Sequence, residues 1–162
     1  MIIRNLLKTD FASIKSIYQQ GIDTGHATFQ KQAKDWDEWD KSVMSVCRLV
    51  AVINDDVVGW AAISTVSSRC VYIGRAEVSI YVKAICRGSG IGHSLLSALV
   101  KCSEGEGIWT LESGIFSENH ASIAVHKKNG FKVVGVREKL GKMNHEWRDL
   151  IFMERRSSSV GV

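Results

Sequence analysis

Residues Arg75 to Leu99 constrain this chain more than any other stretch, because they read as a strand, a glycine-rich turn and the opening of a helix. Ala76, Val78, Ile80 and Val82 alternate with Glu77, Ser79 and Tyr81, the period-2 pattern of a strand. Ile91, Leu95, Leu96, Leu99 and Val100 then recur at helical spacing. Between the two runs stand Gly88, Gly90 and Gly92, which remove Cβ atoms where the chain enters the helix. The free N–H groups of a first helical turn, together with its dipole, favour an anion at such a place. The stretch therefore reads as a phosphate cradle, with an ordinary glycine-rich strand-to-helix turn as the plain alternative.

Two common phosphate loops are excluded. A Walker loop ends in Gly-Lys-Ser/Thr, whereas Gly92 is followed by His93 and Ser94. The dinucleotide fingerprint G-x-G-x-x-G fails from either start: Ile91 or Leu95 falls where its third glycine belongs. What does fit is Arg87-x-x-Gly90-x-Gly92 directly after a strand that ends in Tyr81-Val82.

The surrounding chain narrows the class. At 162 residues it is long enough for one domain that buries roughly 70% of its unfolded surface. The net charge of +4 comes without a long basic run, which suits an anionic ligand better than nucleic acid. Cys47, Cys70, Cys86 and Cys102 contain no C-x-x-C pair, so no zinc pattern arises, no metal is expected, and buried free thiols are the expected state. No signal peptide or membrane-spanning run is evident, which makes a cytoplasmic protein the default. There is no proline, so glycine and short polar turns must supply every break.

In chain order, Ile2-Ile3 reads as a short strand and Asp10 opens a helix with Phe11, Ile14, Ile17, Tyr18 and Ile22 on one side. Asp35 to Lys41 reads as an acidic-fronted helix in which Trp36 and Trp39 are packing anchors. Leu49–Ile53 and Val57–Ile63 read as strands joined by a turn at Asn54-Asp55-Asp56. Beyond the central helix, Ile108–Ile115 is a strand, and Asn119 caps a helix that runs to Asn129 and stops at Gly130. Phe131–Val136 and Trp147–Met153 pair as the last strands across a polar turn, and residues 157–162 are expected to fray. The order β α α β β β α β α β β gives an α/β fold with a mixed sheet and helices on its faces, one domain over residues 1–156.

These motifs together resemble the GNAT superfamily of acetyl-CoA-dependent N-acetyltransferases. Arg87 to Gly92 resembles its pyrophosphate motif, and Asn119-x-x-Ser122-x-x-x-His126-x-x-x-Gly130-Phe131 resembles its second cofactor motif. Ala76 to Val82, with Trp147-x-Asp149-Leu150, is similar to the phosphinothricin and methionine-sulfoximine acetyltransferase branch. The resemblance covers about Ile2 to Glu154 and implies a GNAT fold: a mostly antiparallel, twisted sheet of about seven strands with about four helices.

It also implies roles. Backbone groups of Ile80, Tyr81 and Val82 would take the pantetheine arm of acetyl-CoA, Arg87, Gly88, Ser89, Gly90, Ile91, Gly92 and His93 would wrap its pyrophosphate, and Asn119 would bond its arm. Glu77 stands where the branch has its catalytic carboxylate, against the alternatives of a solvated edge carboxylate or a salt bridge with Arg75. His126 stands where many members have a general acid, or simply fills space behind Ile123. Phe29, Tyr72 and Arg75 would shape the acceptor pocket, with His26 and Thr28 near it. Two departures affect that pocket: Ile73 replaces an arginine of the branch, and Lys142 is one place off the usual basic position.

The implied activity is transfer of acetyl to the free amine of a small amino-acid-like acceptor. A homodimer is implied as well, with Trp36, Trp39 and Trp147 in an apolar patch, and neither nucleic acid nor a membrane as partner. A protein N-terminal acetyltransferase would want an open acidic groove, and a non-catalytic acyl-CoA sensor would have no use for Glu77.

Overall fold

The computed structural model describes residues 1–162. Its strands form one seven-stranded sheet in the order β1-β2-β3-β4-β5-β7-β6. The strands are β1 (Ile2–Asn5), β2 (Leu49–Ile53), β3 (Asp56–Thr65), β4 (Arg75–Val82), β5 (Thr110–Phe116), β6 (Lys132–Met143) and β7 (Glu146–Arg156). The helices are α1 (Phe11–Ile22), α2 (Trp36–Ser42), α3 (Ile91–Gly105) and α4 (His120–Lys128). Every neighbouring pair is antiparallel except β4 and β5, which run parallel and are joined through α3. A parallel pair needs such a crossover, and the alternation of periods around the glycine turn is what supplies it here.

β3 explains why both faces of the sheet are covered. Val57 to Ile63 is a run of buried residues without alternation, the signature of a strand with protein on each side. Val58, Ala61 and Ile63 join Leu95, Leu96 and Leu99 of α3 in the larger cluster. Val57, Trp60 and Ala62 pack with Ile14 and Ile17 of α1 and Trp39 of α2 in the smaller one. Trp39 is buried between Phe11, Trp36 and Trp60, so it is an anchor and leaves no surface for a patch.

Four expectations change. The β6–β7 strands run much further than Phe131–Val136 and Trp147–Met153, and their turn is only Asn144-His145, both with positive φ. The segment Arg137 to Lys142 shows no apolar alternation because β6 is an edge strand with little buried on either face. A bulge near Lys139, whose N–H donates to Asp149 Oδ1 at 2.8 Å, further breaks the pattern. The β2–β3 turn is likewise two residues, Asn54 and Asp55, both left-handed, so Asp56 belongs to the strand.

The cysteines are not all free: Cys47 and Cys102 form a disulfide between the approach to β2 and the last turn of α3, and Cys70 is exposed. Their separation of 55 residues hides the pair from any reading of spacing. Finally, the tail folds back. Arg156 donates to the carbonyls of Val160 and Trp109, and the buried Ser157 hydroxyl donates to Glu104 at 2.8 Å. No helix is long and apolar enough to cross a membrane.

Candidate active site

The site begins where the parallel pair stops. β4 and β5 are in register only over Arg75–Thr110, Ala76–Leu111 and Glu77–Glu112, although β4 continues to Val82 and β5 to Phe116. Beyond Glu77 the two strands splay, which leaves a notch in the middle of the sheet. The backbone groups of β4 that face β5 there have no strand partner, so the notch edge is a template for an extended ligand. A cavity of about 740 Å³ occupies the notch. Its walls come from Glu77 to Val82, Ser113 to Phe116, the start of α4 with His126, and the segment after α1.

At the far end of β4 the chain turns through Arg87, which lines the cavity, into Gly88 to His93. Gly90 caps α3 with φ of 84°, and Gly88 has φ of 78°; a Cβ at either would meet only open space. Ser94 is the first residue of the helix whose N–H bonds back, to Gly90 O at 3.1 Å. The amides of Ile91, Gly92 and His93 are left as the free donors of a 15-residue helix. Those donors and the open glycines fit a pyrophosphate.

Glu77 lines the cavity on the same strand. Its side chain is exposed, and it opens into the cavity that the neighbouring walls enclose. Burial pushes its pKa upward, and the neighbouring carboxylate of Glu112 adds to the shift. Tyr81, on the same face, is stacked on Trp60 with centroids 5.0 Å apart and lies 4.8 Å from the Tyr18 ring. Burial raises the pKa of both phenols, so each remains a neutral donor.

His126 is buried, with its ring edge-on to Phe131. Its Nδ1 lies 2.8 Å from Ser122 O; a carbonyl only accepts, so Nδ1 carries the proton. Burial lowers the pKa of the imidazole. Nε2 is consequently a bare lone pair, buried without a partner in a residue that lines the cavity. Such a ring offers an acceptor.

Asn119 caps α4 by accepting from the Ser122 N–H at 3.1 Å, and its amide donates to His26 O at 3.2 Å. Phe29 lines the cavity and meets Phe116 edge-on at 4.8 Å. Tyr72 and Arg75, expected in the acceptor pocket, are not among the lining residues. Arg75 donates to Glu112 at 2.8 Å and lies over the Tyr72 ring, so its charge is already engaged. The sequence missed Lys34, which lines the cavity and makes no ion pair. It lies in an irregular segment with no motif to mark it.

A model of the acetyltransferase (GNAT) domain matches residues 3–152. The chain belongs to the GNAT acetyltransferases. An L-amino acid N-acyltransferase from Escherichia coli is 31% identical over 159 residues, 95% of this chain and 92% of that one. An L-methionine sulfoximine/L-methionine sulfone acetyltransferase from Pseudomonas aeruginosa is 28% identical, over 94% of this chain and 92% of its own length. Among solved structures, a GNAT phosphinothricin acetyltransferase from Sinorhizobium meliloti in complex with acetyl-CoA superposes with a TM-score of 0.89 at 28% identity. That match covers 99% of this chain and 90% of the other. The seven strands and four helices are thus those of a GNAT enzyme.

Proposed function

We propose that this GNAT enzyme transfers the acetyl group of acetyl-CoA to the free amine of a small amino-acid-like acceptor, of the phosphinothricin, methionine sulfoximine or methionine sulfone type. One observation carries the reading: a carboxyl with a raised pKa shares a cavity with an unpaired strand edge that leads to an amide-rich helix start. The names of the P. aeruginosa and S. meliloti proteins support the acceptor class.

Acetyl-CoA supplies a thioester carbonyl to the acceptor nitrogen. The edge at Ile80, Tyr81 and Val82 holds its arm, and Arg87 with the amides of Ile91, Gly92 and His93 holds its pyrophosphate. Glu77 takes the proton that the attacking amine must lose, directly or through a water. As the N–C bond forms and the C–S bond breaks, sulfur leaves as a thiolate and is protonated from solvent, and Glu77 gives up to solvent the proton it took, so the enzyme returns to its starting state. His126 offers its unpartnered Nε2 as a hydrogen-bond acceptor at the cavity wall. Lys34 replaces Arg75 as the cation for the acceptor's carboxylate.

The reading is tested by an amine panel followed through thiol release. Methionine sulfone, methionine sulfoximine or phosphinothricin is expected to react, and a tetrapeptide is not. For the reactive acceptor, Lys34→Met is expected to raise KM about tenfold with kcat little changed, the pattern of lost uniform binding. Brisk turnover of the tetrapeptide alone would overturn the acceptor class.

The active form is a homodimer. Val133, Val134, Val136, Leu140 and Trp147 form the exposed apolar surface of the β6–β7 ribbon and are the surface for the contact, in place of the buried Trp39. Light scattering at micromolar concentration is expected to give twice the 18.0 kDa chain mass, and a single-chain mass rejects the dimer.

A further inference from the structure

The segment between α1 and α2 roofs the acceptor end of the cavity, with His26, Ala27, Thr28, Phe29 and Gln30 all lining it. It has no helix or strand of its own, and its backbone bonds to α1 end with Gly25 N–H to Ile22 O. Beyond it the segment has local side-chain bonds at His26 N–H and Gln30 N–H, the Thr28 hydroxyl bonds with the Tyr18 and Tyr81 phenols, and Arg148 of β7 adds two bonds from outside. Arg148 Nη1 donates to Gly25 O at 2.9 Å, and Nη2 donates to His26 Nδ1 at 3.3 Å. The same guanidinium reaches Glu118 at 3.2 Å and lies 4.2 Å above the Phe116 ring, with only 11% of the side chain exposed.

Two further fasteners converge on the same segment. The Asn119 amide donates to His26 O, and the Phe29 ring is wedged between Phe116 and Gly141. A Cβ at Gly141 would lie 2.6 Å from the Phe29 ring, so a larger residue there would have to push the ring aside. The guanidinium is charge-paired with Glu118, and its remaining donors are spent on Gly25 O and His26 Nδ1, so the planar fork ties the segment to β7 at two points.

We infer that Arg148 is a positioning residue, a latch that holds residues 25–30 over the cavity and thereby sets how tightly the acceptor binds. The inference rests on the proposed reading that this cavity takes an amine. Arg148 touches neither Glu77 nor the glycine turn, so it acts through the roof that it holds.

The test compares Arg148→Lys and Arg148→Met with the unaltered protein by hydrogen exchange and by kinetics. Faster exchange confined to residues 26–30 is expected, because lysine lacks the fork that reaches both partners. KM for the acceptor is expected to rise about tenfold, more for Met than for Lys, while KM for acetyl-CoA and the melting temperature stay close to the original. Unchanged exchange at 26–30 overturns the latch. So does freed exchange with an unchanged acceptor KM, or a uniform loss of kcat, both KM values and melting temperature. Should the unaltered protein turn over no amine, the proposed function falls, and the exchange result alone decides the latch.

Discussion

Glu77→Gln is expected to cut turnover by about 10²–10⁴-fold, the usual worth of a positioned base, while acetyl-CoA affinity stays nearly the same. The variant keeps the size and much of the hydrogen bonding but cannot accept a proton. An ordinary carboxylate is a weak base for an amine that is mostly protonated near neutrality. At Glu77, burial first and Glu112 second raise the pKa, which brings the carboxyl closer to its task. The pH profile of kcat/KM should therefore have its acid limb above the usual carboxylate range. The loss in Glu77→Gln should shrink as pH rises and free amine becomes abundant.

Stability should move the other way. A carboxyl whose folded pKa lies above its unfolded value binds its proton more tightly in the folded state, so the ionised residue opposes folding at neutral pH. That penalty is absent below the unfolded pKa and complete above the folded one. Glu77→Gln should then melt no lower than the original at pH 7. Full activity of this variant on a true acceptor would make Glu77 structural.

Gly90→Glu is expected to abolish stabilisation by acetyl-CoA. At about 100 times its dissociation constant a ligand adds about 2.7 kcal/mol, which is readily seen as a thermal shift. The substitution places a carboxylate beside the free amides of α3 and forces a side chain onto a residue with φ of 84°. Because strain alone lowers the melting temperature, the reading is the shift on adding ligand, measured within each protein. NAD and ATP are expected to give none with either protein. A retained acetyl-CoA shift in Gly90→Glu would place the pyrophosphate elsewhere.

Local signals carried the fold well. The alternation in Arg75–Val82, the helical spacing after Ile91 and the Asn119 cap each act within a few residues, and each stands where it was read. The place of Glu77 was legible for the same reason: it was read as an acid on the second face of an interior strand, and it lines the cavity from there. What failed to show was made by long-range meetings. Cys47 and Cys102 meet only once α3 lies on the sheet. Arg75 looked available because its partner, Glu112, arrives from a parallel strand 37 residues away. Arg148 looks like one more charge on an edge hairpin, and only the folded chain brings Gly25, 123 residues distant, beneath it. The β6 extension was hidden because a ribbon exposed on both faces is under little pressure to alternate.

The notch has a mechanical side. β4 holds β3 through seven registered residue pairs and β5 holds β7 through seven, but only three join β4 to β5. The sheet is therefore two panels, β1 to β4 and β5 to β7 with β6, sewn along a short seam beside Glu77. Under load the panels should part there first, since few backbone bonds must break before the rest is free. A ligand bound along β4 and reaching across to α4 adds stitches to that seam. Occupancy should accordingly slow unfolding as well as shift its midpoint, and an empty enzyme should tear along the line on which it works.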